Sequence, residues 1–167
     1  MLSLLLGILT LTSLSLASPL SNPEIVKKDL NKRYTNVNIV SGVDGKLLAA
    51  APKTGDGSIV TSVSPGTFWA TVWDINPGAG QVTLAGGDLV LDAGEAFNGG
   101  QLVVKSPDGS SGQNWYLTDD NRIAITGGTA CLDEGENGAQ TWDCTTGNDN
   151  QVGPVNVHIP ETGMTVE

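Results

Sequence analysis

An all-β chain folded back on itself into a closed architecture is predicted by three observations: short β-branched runs, glycine-rich turns between them, and a repeat of about forty residues. From residue 37 onward the chain is built of Val/Leu/Ile/Thr runs about four to six residues long, the length and composition of half-buried strands. Between them stand Asp44-Gly45, Pro77-Gly78, Gly86-Gly87 and Asp108-Gly109, dipeptides that supply the backbone angles of tight turns. Nearly all of the 22 glycines fall in this part of the chain. No stretch carries a convincing helical period. Strands are expected over 37–40, 47–50, 59–63, 70–75, 81–85, 89–91, 101–104, 114–117, 122–126, 130–132, 139–144 and 155–159. So many short strands suit a barrel or a related closed fold rather than a simple hairpin.

Ahead of these strands lie two segments of different character. Residues 1–17 contain no charged side chain, run leucine-rich to Leu16 and end in Ser15-Leu16-Ala17, with small residues where a signal peptidase inspects the chain. The expectation is a secretory signal rather than a membrane span, because the apolar run is short, is broken by Thr10, Thr12, Ser13 and Ser15, and precedes Pro19. Residues 18–33 hold Pro19, Pro23 and a basic cluster of Lys27, Lys28, Lys32 and Arg33. Lys32-Arg33 resembles a dibasic processing site, so this segment is read as a propeptide or a flexible arm. Cleavage there would remove four bases and two acids and move the formal charge from −10 to −12. The remainder, 34–167, is one domain with a single core.

The charge pattern narrows the partners. An acidic chain without a basic stripe is a poor match for nucleic acid or an anionic membrane surface. No later segment is apolar enough to span a bilayer, so the product is expected to be secreted and soluble, in a compartment that permits a disulfide. No Asn-x-Ser/Thr acceptor occurs, and N-glycosylation is not expected.

Internal repetition orders the strands. Leu89-Val90-Leu91-Asp92-Ala93-Gly94 aligns with Ala130-Cys131-Leu132-Asp133-Glu134-Gly135 when Asp92 is set on Asp133. Thr71-Val72-Trp73, Gln113-Asn114-Trp115 and Gln151-Val152-Gly153 then mark the ends of three successive units of about forty residues. The units run over about 36–76, 77–120 and 121–159.

A threefold repeat with Cys131-Leu132-Asp133, the later aromatic-x-Cys of Trp142-Asp143-Cys144, and Asn150-Gln151 near its close resembles the ricin B-type lectins. The resemblance covers roughly residues 36–159 and weakens from the third repeat to the first. It implies a β-trefoil of three repeats, and a short secreted single domain of this kind resembles the fungal members. It also implies that Trp73 and Trp115 are core indoles. The third repeat departs from the pattern, with Gly153 where a tryptophan is expected. Phe68, Trp69 or the 154–159 segment are the candidates to fill that place.

The strongest chemistry lies in the third repeat. Hydroxyl-rich ligands need several fixed donors and acceptors, and the C–H face of a sugar ring needs an apolar platform. Asp133, Gln140, Trp142, Asn150 and Gln151 supply that set. In a strand, Gln140 and Trp142 lie two apart and share one face. Bridging Cys131 to Cys144 would staple the segment, constraining it by roughly 3 kcal/mol in the chain-entropy model. By the resemblance, Asp133 accepts hydrogen bonds from two adjacent hydroxyls, Gln140 and Asn150 complete the clamp, and Trp142 stacks on the ring. The hydroxyl pair such a clamp selects is typically that of galactose. Glu134 and Glu136 are read as solvated loop charges.

The other repeats are poorer. The second keeps Asp92 and Gln113 as a weak second site, with Leu102 at the clamp position, Val104 at the stacking position, Gly112 at the Asn position and Phe97 as a substitute platform. In the first, Ala49, Val60, Ser62 and Ala70 stand at the corresponding positions, and no site is expected there. Catalysis is not expected either. The chain has one histidine, His158, its two cysteines suit a staple better than a metal site, and no long insertion breaks the repeats to build a cleft. Neither metal nor cofactor is called for. The expectation is a lectin with glycans as partners, and the alternative is a protein-interaction or hydrolase-inhibitor module without sugar binding.

Overall fold

A computed structural model describes residues 33–52, 55–69, 71–76 and 78–151. The expected signal segment 1–17, most of the expected propeptide or arm 18–33, His158 and the expected 155–159 strand lie outside the described residues. Twelve strands appear among the described residues: β1 (Tyr34–Val37), β2 (Leu47–Ala50), β3 (Ser58–Val63), β4 (Trp73–Ile75), β5 (Ala79–Gly80), β6 (Val82–Leu84), β7 (Val90–Asp92), β8 (Gly100–Lys105), β9 (Trp115–Leu117), β10 (Ile123–Ile125), β11 (Ala130–Gly135) and β12 (Gly138–Asp143). Ser111–Gln113 add one 3-10 turn. All the strand pairings are antiparallel, as in a meandering β-trefoil.

Three hairpins carry the repeat: β2–β3, β7–β8 and β11–β12. Their registers set Ala49 opposite Thr61, Asp92 opposite Val103, and Asp133 opposite Gln140. Two indoles confirm this alignment independently. Trp73 Nε1 donates to the Leu48 carbonyl at 2.9 Å, and Trp115 Nε1 donates to the Leu91 carbonyl at 3.0 Å. Leu48 and Leu91 each precede the residue equivalent to Asp133. Both indoles are fully buried, as the resemblance implies, among Val37, Val60, Val82, Leu102 and Val104. A buried indole NH without a partner would be costly, so these bonds let a large polar-tipped side chain fill the core.

Two expectations shift. The first strand is 34–37 rather than 37–40, and Val40 makes only an isolated bridge to Leu47. Phe68 is 94% exposed, so it does not fill the third indole position. Leu132, the counterpart of the buried Leu48 and Leu91, is only half-buried. No helix of the described residues is long and apolar enough to cross a membrane.

Candidate functional site

The site is built on the β11–β12 hairpin. Directly opposed residues of an antiparallel pair project to the same side, and here Cys131 faces Trp142 while Asp133 faces Gln140. All four side chains therefore share one face. The ladder closes at Gly135 and Gly138 over a two-residue turn, Glu136-Asn137. Gly138 has φ of 103°, and a Cβ there would lie 2.5 Å from Thr61 Oγ1, so the hairpin seats directly on β3. Next to Trp142 in the strand, Thr141 is buried and its hydroxyl donates to the Phe97 carbonyl at 2.7 Å. The inner face of β12 is thereby fixed and the outer face is left to Gln140 and Trp142.

After β12 the chain turns back over the hairpin, tied by the Cys131–Cys144 disulfide. Gln140 Nε2 donates to Asp133 Oδ1 at 2.9 Å, and Asn148 Nδ2 reaches Asp133 Oδ2 at 3.4 Å. The Asn150 N–H donates to Asn148 Oδ1 at 3.1 Å, and the Asn150 carbonyl accepts from the Glu134 N–H at 3.0 Å. Between hairpin and loop opens a cleft of about 400 Å³ lined by Asp133, Glu136, Asn137, Gln140, Trp142, Asn148 and Asn150, with Gly135 at its edge. Trp142 is 42% exposed there, and Asp133 only 5%. The arrangement holds an aromatic platform beside a deep carboxylate ringed by amides. That combination can grip vicinal hydroxyls while covering one apolar ring face.

Four of the five residues proposed from the sequence, Asp133, Gln140, Trp142 and Asn150, line this cleft. Gln151 does not. It is 3% exposed, and its amide is spent on backbone: Oε1 accepts from the Thr145 N–H at 2.8 Å and Nε2 donates to the Asp143 carbonyl at 2.9 Å. It is a strut that closes the loop. Gln113 does the same work in the second repeat, accepting from the Asp108 N–H at 2.9 Å and donating to the Ser106 carbonyl at 3.1 Å. Asn148 and Asn137 were missed by sequence reasoning. Asn148-Asp149-Asn150, with two amides two positions apart, was the signal available for the first.

Glu134 also needs correction. Far from being solvated, it is 8% exposed and accepts from Ser62 Oγ at 2.7 Å and Lys46 Nζ at 3.2 Å. Asp44 lies 2.7 Å from the same ammonium. The bonds from Lys46 to Asp44, first, and to Glu134 hold its pKa above the ordinary lysine value.

The second repeat is closed. Asp92 is buried, with Oδ2 accepting from Gln113 Nε2 at 2.9 Å and facing Lys105 Nζ at 3.7 Å. The observed register places Val103 and Lys105, not Leu102 and Val104, at the clamp and stacking positions. Lys105 thus stands where the third repeat has Trp142 and pairs with the carboxylate itself. Gly112 packs against Gly94: a Cβ on Gly112 would lie 2.5 Å from the Gly94 carbonyl oxygen, leaving no room for an asparagine. Phe97 is exposed, but its carbonyl is tied to Thr141 of the third repeat. In the first repeat the same shift puts Thr61 and Val63, not Val60 and Ser62, at those positions, beside Ala49. Ala70 lies outside the described residues.

The ricin-type β-trefoil lectin domain model matches residues 78–152, which span the second and third repeats. Over these residues the chain matches the ricin-type β-trefoil lectins. No curated protein matches it in sequence. Solved structures share the chain's fold. A designed threefold-symmetric protein, ThreeFoil, is 22% identical, with a TM-score of 0.56 over 69% of this chain and 93% of the other. The C-terminal half of an earthworm R-type lectin, solved with GalNAc, is 20% identical, with a TM-score of 0.55 over 71% and 95%. The similarity to GalNAc-T7, solved with UDP, GalNAc and Mn2+, covers 76% of this chain but 23% of that chain, at 16% identity and a TM-score of 0.57. The matched domain is a lectin domain, so carbohydrate binding is the broad function that this match supports.

Proposed function

We propose that the chain is a secreted lectin that binds a galactose-type sugar mainly through its third repeat. One observation carries this reading: Asp133, Gln140 and Trp142 share one face of a disulfide-stapled hairpin and open into a single cleft. The equivalent carboxylate of the second repeat is sealed by Lys105 and Gln113, and the first repeat has Ala49 instead. Support for the sugar class comes from the earthworm lectin structures, solved with GalNAc and with 6'-sialyllactose. Secretion is supported by the uncharged leader and by the disulfide.

Binding proceeds without covalent chemistry. Asp133 accepts hydrogen bonds from two adjacent ring hydroxyls, an ionised acceptor being the strongest polar partner available. The long 3.4 Å contact from Asn148 is the bond a hydroxyl replaces most cheaply. Gln140, held by Asp133, presents its free amide atoms to the same sugar, and Trp142 covers the C–H face. One such site gives an affinity of about millimolar Kd, and useful avidity requires several copies presented together.

A glycan array probed with the intact, oxidised chain tests the reading. Selective retention on galactose-terminated glycans is expected. A blank array from a cooperatively folding protein would favour the interaction-module alternative, for which the 94% exposed Phe68 is the natural contact.

A further inference from the structure

One residue past the Asp133 position, the three hairpins carry Ala50, Ala93 and Glu134. The repeat with the open cleft is the one with the carboxylate. Strand alternation turns Glu134 to the face opposite Asp133, where it does not meet a ligand in the cleft. A buried carboxylate must be partnered, and its partners come from the first repeat: Ser62 on β3, at 2.7 Å, and Lys46 just before β2, at 3.2 Å. Lys46 is itself braced by Asp44 at 2.7 Å. From Glu134 a continuous chain of hydrogen bonds leads to the site. Its N–H holds the Asn150 carbonyl at 3.0 Å, the Asn150 N–H holds Asn148 Oδ1 at 3.1 Å, and Asn148 reaches Asp133 at 3.4 Å. The second repeat makes the same crossing, Ala93 N–H to the Gly112 carbonyl at 3.0 Å, with no side chain to clamp it.

We propose that Glu134 is a positioning residue for the third-repeat site, clamped by Lys46 and Ser62, so that a first repeat without a sugar site sets the geometry of its neighbour's. The inference rests on the sugar-site reading above and deepens it. The clamp fixes β11 against the returning loop, and the loop carries Asn148 and Asn150 into the cleft.

The test uses the intact chain with Lys46→Met, Lys46→Arg and Ser62→Ala, and three measurements: galactose affinity, the unfolding midpoint, and amide hydrogen exchange at residues 134 and 150 without sugar. Lys46→Met and Ser62→Ala are expected to raise Kd roughly five- to tenfold, as for loss of one charge-assisted hydrogen bond. Exchange at 134 and 150 should quicken, the domain should stay folded at the assay temperature even where the lost partner of the buried carboxylate lowers the midpoint, and Lys46→Arg should restore both affinity and exchange. Unchanged exchange in Lys46→Met and Ser62→Ala overturns the proposal. So does a loss of affinity that merely follows a lowered midpoint and is not restored by arginine. If the parent binds no sugar, the sugar-site reading fails alone, and exchange in the unliganded chain still decides whether the clamp exists.

Discussion

Replacing Trp142 by alanine, or Asp133 by asparagine, is expected to abolish measurable sugar binding while leaving the unfolding transition close to the parent's. Trp142 is 42% exposed, so its loss removes the platform without emptying a core site. Asp133→Asn keeps an oxygen that can accept from Gln140 but loses the ionised acceptor for the sugar. A hydrogen bond to a charged group contributes about 1.5–3 kcal/mol, which moves a millimolar affinity beyond the working range of a titration. Calorimetry with galactose and thermal unfolding by circular dichroism, run on the same preparations, separate the two effects. Binding equal to the parent's in both variants would remove the third repeat as the site.

The second large effect is on stability. Cys131 and Cys144 close a loop with a sequence separation of 13, and a bridge of this span contributes about 3 kcal/mol in the chain-entropy model. Cys131 is buried and sits directly opposite Trp142 in the ladder. Replacing both cysteines by alanine is therefore expected to lower the free energy of unfolding by about 3 kcal/mol in urea, and to weaken sugar binding because the platform and the returning loop lose their common anchor. An unchanged urea midpoint would show that hairpin pairing alone holds this segment.

The fold was legible because each local signal agreed with the others. Short β-branched runs, turn glycines and the Trp73 and Trp115 markers all report the same threefold plan, and the two indoles are buried on equivalent carbonyls. Site chemistry was legible where one strand carries it, since Gln140 and Trp142 must share a face whatever surrounds them. Register was not. β11 and β12 join through two residues, whereas Asp92 and Gly100 are separated by a longer loop that the sequence does not measure out in space. A slip of one residue moved Leu102 and Val104 to the wrong face and hid Lys105. Gln151 was misread because an amide beside Asn150 can serve either a ligand or the backbone, and only the direction of its side chain decides. Glu134 was misread for a different reason. Its partners Lys46 and Ser62 stand 88 and 72 residues away, and nothing local announces that they meet.

The most direct test of the central claim is a 1H–15N spectrum of the intact chain titrated with galactose. The third-repeat reading predicts progressive shifts of the Trp142 indole and of the Gln140, Asn148 and Asn150 side-chain amides, with the Trp73, Trp115, Gln113 and Gln151 signals unmoved. Shifts centred on the first or second repeat, or none at saturating sugar, would contradict it.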